Sequence, residues 1–253
     1  SEHTDLRALH FKEARLRAQV AESELLNSQF EMLARLAVTA DLREEPSGQH
    51  GYRVGRLAYL LGITLGWNRD ACYSMEMAAR LHDIGKIAVP DRILFASEEL
   101  QAAQRELMSA HTAFGAELLS KSNQAEVKLA QQIAYQHHEW WNGQGYPLRL
   151  SGKRISFPAR IVALADVFDA LTHGRPYASP WSVERALDEI RSKRGTQFDP
   201  DLTDVFVKLI IDLCRERENL DAHLVAAAES SPFLLARQKI RQLLNAELAH
   251  STH

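Results

Sequence analysis

Hydrophobic positions recur with helical spacing over most of the chain. Residues 1–43 are rich in Leu, Ala, Glu, Arg and Gln and contain no Gly or Pro. Leu6, Leu9, Leu16, Val20, Leu26, Met32 and Leu36 mark a loose helical stripe there. The stripe fits an amphipathic helix packed on the domain that follows. It equally fits a signalling or dimerising helix joined to a domain further upstream. Because Ser1 is not Met and the helical pattern begins at once, a piece of a longer protein is expected.

The run Glu44-Glu45-Pro46-Ser47-Gly48 breaks the first helix. A second helix is predicted from about Gln49 to Leu65, with Val54, Leu57, Ala58 and Leu61 on one face. A third runs from about Asn68 to Leu81, carries Cys72, Met75 and Ala79, and ends near Gly85. Ile87 to Leu94 contains Pro90 and reads as a connector, and Ser97-Glu98-Glu99 as a short helix start. Leu107–Leu119 and Val127–His138 are further helices, followed by the loop Asn142-Gly143-Gln144-Gly145-Tyr146-Pro147. Ile155–Phe157 reads as a short extended piece. Ala159–Leu171 is almost continuously apolar, as in a buried central helix. Trp181–Ile190, Leu202–Cys214 and Phe233–Leu248 complete an all-α bundle. Three parts are expected: an N-terminal helix over 1–45, a domain over 46–219 and a helical extension over 220–253.

Composition supports this reading. Of 253 residues only 12 are Gly and 8 Pro, few turn-formers for a β-sandwich or propeller. The net charge of −3 argues against a DNA or RNA binder, which carries a strong basic excess. A small anionic ligand needs only a local cluster of cations, for which Arg53, Arg80, Arg92, Arg160 and Arg175 are candidates. Cys72 and Cys214 lie in apolar stretches and read as buried free thiols of a reducing, cytoplasmic compartment. The uncharged stretch Leu57–Asn68 is too short to span a bilayer.

The chemistry lies in histidines and acids. His50 falls near a helix start, His82-Asp83 and His137-His138 near helix ends, His111 within a helix, and Asp166 inside the most apolar helix. A carboxylate in that setting is costly unless paired or bound to metal. Any one of these histidines alone reads as an ordinary hydrogen-bonded residue; the doublets together with a buried acid do not. Imidazoles with carboxylates suit Fe, Mn, Zn or Ni rather than Mg or Ca. Asp83 has two oxygens and can bridge two cations. Lys86, one turn later and next to Gly85, is either a surface lysine or a partner for phosphate. Oxygen-activating bundles need Glu-x-x-His pairs, and Met108, Ala134 and Tyr135 stand where those acids would be.

The ordered set resembles the HD-GYP branch of the HD-domain phosphohydrolases. It comprises His82-Asp83-Ile84-Gly85-Lys86-Ile87, Val89-Pro90, His137-His138-Glu139 and Gly143-Gln144-Gly145-Tyr146-Pro147. It continues through Ala159–Leu171, Arg175-Pro176-Tyr177 and Phe198-Asp199-Pro200. The likeness spans about Gly48 to Leu213. It implies a helical bundle around a multinuclear metal centre. It also implies hydrolysis of cyclic di-GMP to pGpG, and in some members on to GMP, through a metal-bridging hydroxide. By motif the ligands are His50, His82, Asp83, His111, His137, His138 and Asp166, holding two divalent ions of iron or manganese, with zinc or nickel also suited. Lys86 would stand beside the attacked phosphate, Asp169 and Arg175 would line the pocket, and Tyr146 belongs to a loop associated with diguanylate cyclase (GGDEF) docking.

The chain departs from the family pattern at four places. Pro46 replaces a Glu found in members with a third metal, so two metals are expected. Asn142 replaces an Asp, Arg149 a Gly, and Ala178 a Lys that reaches phosphate. These changes bear on affinity and docking more than on the metals. They leave a low-activity cyclic-dinucleotide receptor, or a phosphodiesterase for another cyclic dinucleotide, as alternatives.

Overall fold

The computed structural model describes residues 2–43, 47–96, 98–173, 179–217 and 219–250. In chain order the helices are α1 (Glu2–Asp41), α2 (His50–Thr64), α3 (Arg69–Ala79), α4 (Asp91–Leu94), α5 (Ala102–Leu118) and α6 (Ala125–Gln136). They continue with α7 (Phe157–His173), α8 (Val183–Ser192), α9 (Pro200–Glu216), α10 (Leu220–Glu229) and α11 (Pro232–His250). Short 3₁₀ helices cover Ile84–Ala88 and Gly152–Arg154. Among the described residues there is no strand, only two isolated β-bridges, Asn142 to Ser151 and Arg194 to Phe198. None of the helices is long and apolar enough to cross a membrane.

Several helices start where side chains satisfy orphan N–H groups. Asn68 accepts from Ala71 N at 2.8 Å to open α3, and Asn219 accepts from Ala222 N at 3.0 Å to open α10. Asp199 caps α9 ahead of Pro200, whose missing N–H costs nothing in the first turn. The core forms around α2 and α7. Val54, Leu57, Ala58 and Leu61 of α2 and Ile161, Val162, Leu164, Ala165 and Phe168 of α7 are buried together. α2 also packs on α3, α9 and α10, and Leu224 of α10 joins the same core.

Several local expectations are corrected. α3 stops at Ala79, not near Gly85. Leu81 N bonds Ala78 O at 3.1 Å and His82 N bonds Ala79 O at 3.2 Å, the tighter i→i−3 pattern that closes a helix. The connector at Ile87–Leu94 is instead the end of a 3₁₀ helix followed by α4. Leu220–Glu229, given no boundaries of its own by the hydrophobic pattern, is the separate helix α10. Cys214 is exposed, because it stands one step beyond the buried face that ends at Leu213; Cys72 is buried. In α1 the stripe itself is largely outside. Leu9, Leu16, Val20, Met32 and Leu36 are exposed, while Phe30, Ala34, Ala37 and Val38 near its C-terminal end are buried. Leu26 is partly buried against the core.

Candidate metal centre

The turn after α3 creates the site. Asp83 precedes the 3₁₀ helix, and Lys86 N bonds Asp83 O at 2.9 Å. In 3₁₀ geometry, residues three apart eclipse. Lys86 Nζ therefore lies 2.7 Å from Asp83 Oδ2. Gly85 lets this turn press on α5: a Cβ there would stand 1.9 Å from the carbonyl oxygen of His111. The close approach sets His111 beside Asp83. His137 and His138 follow the last residue of α6, in the turn after it, so neither doublet lies on an α-helix.

Two clusters result, and Asp83 belongs to both. One is Asp83, His111, His137 and His138; the other is His50, His82, Asp83 and Asp166. The two carboxylate oxygens divide the work. Oδ1 lies 3.2 Å from His111 Nε2 and 3.4 Å from His137 Nε2. Oδ2 lies 3.3 Å from His82 Nε2 and 3.8 Å from His50 Nε2. Asp166 Oδ1 reaches His50 Nε2 at 3.4 Å and His82 Nε2 at 3.7 Å. His138 packs its ring 4.1 Å from that of His137 and 5.1 Å from that of His111.

The far side of each ring explains its orientation. Carbonyl oxygens only accept, so the facing Nδ1 atoms donate. His82 Nδ1 donates to Ala79 O at 2.8 Å and His111 Nδ1 to Met108 O at 2.6 Å. His137 Nδ1 lies 3.1 Å from both Ile133 O and Ala134 O. His50 Nδ1 donates to Asp169 Oδ2 at 2.8 Å. With Nδ1 occupied, the Nε2 lone pairs turn inward: His50 and His82 Nε2 are 3.2 Å apart, and those of His111 and His137 are 3.4 Å apart. Neutral imidazoles presented in this way, held by their outer partners, suit metal ligation. Asp83 Oδ1 is buried and has no hydrogen-bond partner among the described residues. A buried carboxylate oxygen without a donor is costly. The orphaned oxygen and converging nitrogens fit a binuclear metal site.

Without a cation the site is electrostatically divided. Burial opposes charge on His50, yet Asp166, Asp169 and Asp83 raise it well above the ordinary imidazole range. Burial likewise opposes His82, but Asp83 and Asp166 push it up to about 10. Across the site, His137 is lowered by burial, with His82 and His111 adding repulsion. His138 falls well below the usual range through burial, then through His137 and His111. Burial opposes charge on both acids, yet Lys86, His82, His111 and His137 hold Asp83 well below the carboxylate range, and His50 and His82 hold Asp166 well below it. A cation bound there would compete with protons on His50 and His82, so its affinity would fall as pH falls.

Asp169, expected to line a pocket, is instead buried behind His50. Arg53 clamps it with Nε to Oδ1 at 2.6 Å and Nη2 to Oδ2 at 2.9 Å. His173 Nδ1 lies 3.1 Å from its Oδ1. Arg53 is the residue here whose weight the sequence understated: a buried guanidinium paired with the acid that orients His50. Arg80 pairs with Glu76 at 2.7 Å, and Arg160 pairs with Asp199. Arg175, Pro46 and Ala178 lie outside the described residues.

The loop after His138 is built around Glu139. This buried carboxylate accepts from Leu148 N at 2.6 Å and Leu150 N at 2.9 Å. A Cβ on Gly145 would stand 2.3 Å from Trp140 N and 2.4 Å from His138 O, so only glycine fits. The Tyr146–Pro147 bond is cis, and the Tyr146 ring stacks on His138 at 4.8 Å and 27°. Asn142 Oδ1 accepts from Gln144 N at 3.0 Å, so the loop forms without a carboxylate there. Arg149 takes φ 53, the left-handed region that favours glycine. Two further residues carried no sequence signal: Asp41, the buried last residue of α1, and His173.

Comparison with known proteins now adds to the geometry. A family model described as HD domain matches residues 26–202. A cyclic di-GMP phosphodiesterase response regulator of Xanthomonas campestris pv. campestris is 39% identical over 208 residues, covering 82% of this chain and 54% of that protein. A 3′3′-cGAMP-specific phosphodiesterase of Vibrio cholerae is 36% identical over 189 residues, covering 73% of this chain and 35% of that protein. Among solved structures, a cyclic GMP-AMP-specific phosphodiesterase of V. cholerae superposes with a TM-score of 0.57 at 21% identity, covering 83% of this chain and 53% of that one; it shares the fold. The chain spans about half the length of the first curated relatives it matches.

Proposed function

This chain belongs to the HD domain family, and we propose that it is a metal-dependent phosphodiesterase hydrolysing cyclic di-GMP to linear pGpG. The observation that carries the reading is Asp83, shared between two clusters with a different oxygen turned to each. His50, His82 and Asp166 would hold one cation, His111, His137 and His138 the other, and Asp83 both. When bound, the cations supply Lewis acidity for a water nucleophile and charge neutralisation for the phosphate. Water adds to phosphorus and the bond to one ribose 3′ oxygen breaks, giving a phosphomonoester and a free hydroxyl. Lys86 stands at the edge of the site to balance charge on the phosphate, and Asp169 keeps His50 aimed. The donor set favours iron or manganese, with zinc and nickel suited as well. The free thiols Cys72 and Cys214 support a reducing compartment, the cytoplasm.

The test is metal analysis of protein purified without oxygen, with product identification. Two cations per chain and conversion of cyclic di-GMP to pGpG are expected; GMP would mark a second cut. Because a relative of this chain is named for cyclic GMP-AMP, that dinucleotide is assayed alongside. Faster cleavage of it would reassign the substrate, and binding without turnover of either would leave a receptor.

Two partners belong to the same reading. The loop around Tyr146 exposes Asn142, Gln144, Pro147, Leu148 and Arg149 and would serve as a docking surface for diguanylate cyclase domains. The first helix would join two copies. Phe11, Ala14, Ala18, Ala21, Leu25, Ser28 and Met32 follow at alternating steps of three and four residues, and all are exposed. Sedimentation should show a dimer that Leu25→Glu converts to monomer with its helical signal intact. A monomeric wild type would end the dimer proposal.

A further inference from the structure

The chemistry proposed above makes no use of the C-terminal end of α1, yet that end is built against the metal centre. α1 packs on the 3₁₀ helix that carries Lys86. Its last residue, Asp41, is buried, and a Cβ on Gly51, next to His50, would stand 3.4 Å from Asp41 Oδ2. Two residues later Arg43 crosses to the far segment. Its Nη1 donates to the carbonyl of Lys86 at 3.0 Å, and its Nη2 donates to the carbonyl of Val89 at 2.7 Å. The same Nη2 pairs with Asp91 at the start of α4. One planar fork thus fixes three points between Lys86 and Asp91.

The segment needs such an anchor. A 3₁₀ helix this short has weak internal geometry. At its ends, i→i−3 bonds join Lys86 N to Asp83 O at 2.9 Å and Val89 N to Lys86 O at 3.0 Å. α1 in turn is held to the domain by Phe30, Ala34, Ala37 and Val38, while positions 9–25 are exposed. Any sliding or rotation of α1 therefore acts at its seated end.

We propose that Arg43 is a positioning residue for Lys86, so that the seating of α1 on the domain sets where the lysine ammonium stands over the metal centre. The inference rests on the role of Lys86 in the reading above. It makes α1 a control element as well as a scaffold, because displacing the helix would move the Lys86 backbone while leaving the ligands on α2, α5 and α7 and after α6 in place.

Arg43→Ala tests it in the full chain. Turnover should fall about tenfold, the size of other losses in supporting contacts, with two metals retained and KM little changed. Amide exchange over residues 84–90 should speed up, and Arg43→Lys should restore part of both. Phe30→Ala, which loosens α1 at a distance, should give the same pair of effects. In the double variant it should add almost nothing, because both changes release one latch. Unchanged turnover and exchange in Arg43→Ala, loss of metal along with turnover, or independent multiplication with Phe30→Ala would each overturn the proposal. If the wild type turns over no cyclic dinucleotide, the phosphodiesterase reading fails. Exchange over 84–90 then decides the latch alone: wild-type protection in Arg43→Ala rejects it.

Discussion

Asp83→Ala is expected to strip both cations and lower turnover at least about a thousandfold, while keeping the helical signal of the wild type. The size of the effect follows from position. Every other candidate ligand serves one cluster, and Asp83 serves two. Losing Asp166 leaves the His111 cluster with all its members; losing Asp83 leaves each cluster with three and nothing between them. The fold should survive because backbone bonds hold the turn. Ile84 N to Leu81 O at 3.1 Å and Lys86 N to Asp83 O at 2.9 Å do not involve the side chain. The imidazoles left behind can shed protons to water, so no charge is trapped. Metal content by mass spectrometry, turnover and circular dichroism together check this outcome. Retention of two cations with wild-type turnover would end the argument for a shared bridge.

The sequence made the site's membership legible and its geometry less so. His50, His82, Asp83, His111, His137, His138 and Asp166 come together from three helices and two turns. The mechanism of convergence differed. Both doublets were expected on helices, with neighbouring side chains about 100° apart. Each follows a helix instead: His82 N bonds Ala79 O in the tighter i→i−3 pattern, while His137 N keeps the last i→i−4 bond, to Ile133 O, and the i→i−3 bond comes at Glu139 N. That difference lies beyond periodicity, which reports faces of regular elements and not where they end.

Second partners were harder to read. For Asp169 the family resemblance implies a place lining the pocket. Only the fold shows that α7 turns it toward Arg53 and His173, behind the ring of His50. Glu139 was visible as part of a motif, but its task of holding Leu148 N and Leu150 N depends on a loop that folds back nine and eleven residues later. Arg149 shows the same limit from the other side. An arginine where glycine is usual accepts a left-handed backbone, at a cost of about 1 kcal/mol, because Glu139 fixes the residues on either side of it. Arg43 and Asp41 sit at the end of a helix whose hydrophobic stripe pointed elsewhere. Nothing in their spacing separates them from ordinary surface charges.

Lys86→Ala should keep both metals and slow the chemical step about 10²- to 10³-fold, the loss seen when one donor to developing charge is removed. Metals should stay because Lys86 is a cation beside cations. Its Nζ, 2.7 Å from Asp83 Oδ2, competes with metal for that oxygen. Among the groups that hold the Asp83 carboxyl low against burial, Lys86 comes first, and His82, His111 and His137 remain when it is gone. The imidazoles still favour the carboxylate in the variant, so both clusters keep their shared member. What disappears is, among the described residues, the one ammonium paired with the shared carboxylate, where a bound phosphate would gain charge as its P–O bond breaks. KM should change less than kcat, because that charge grows toward the transition state. Metal analysis beside steady-state kinetics separates the outcomes. Turnover at the wild-type rate would remove Lys86 from the chemistry, and with it the reason for Arg43 to hold that segment. Loss of metal would make Lys86 part of the scaffold of the centre.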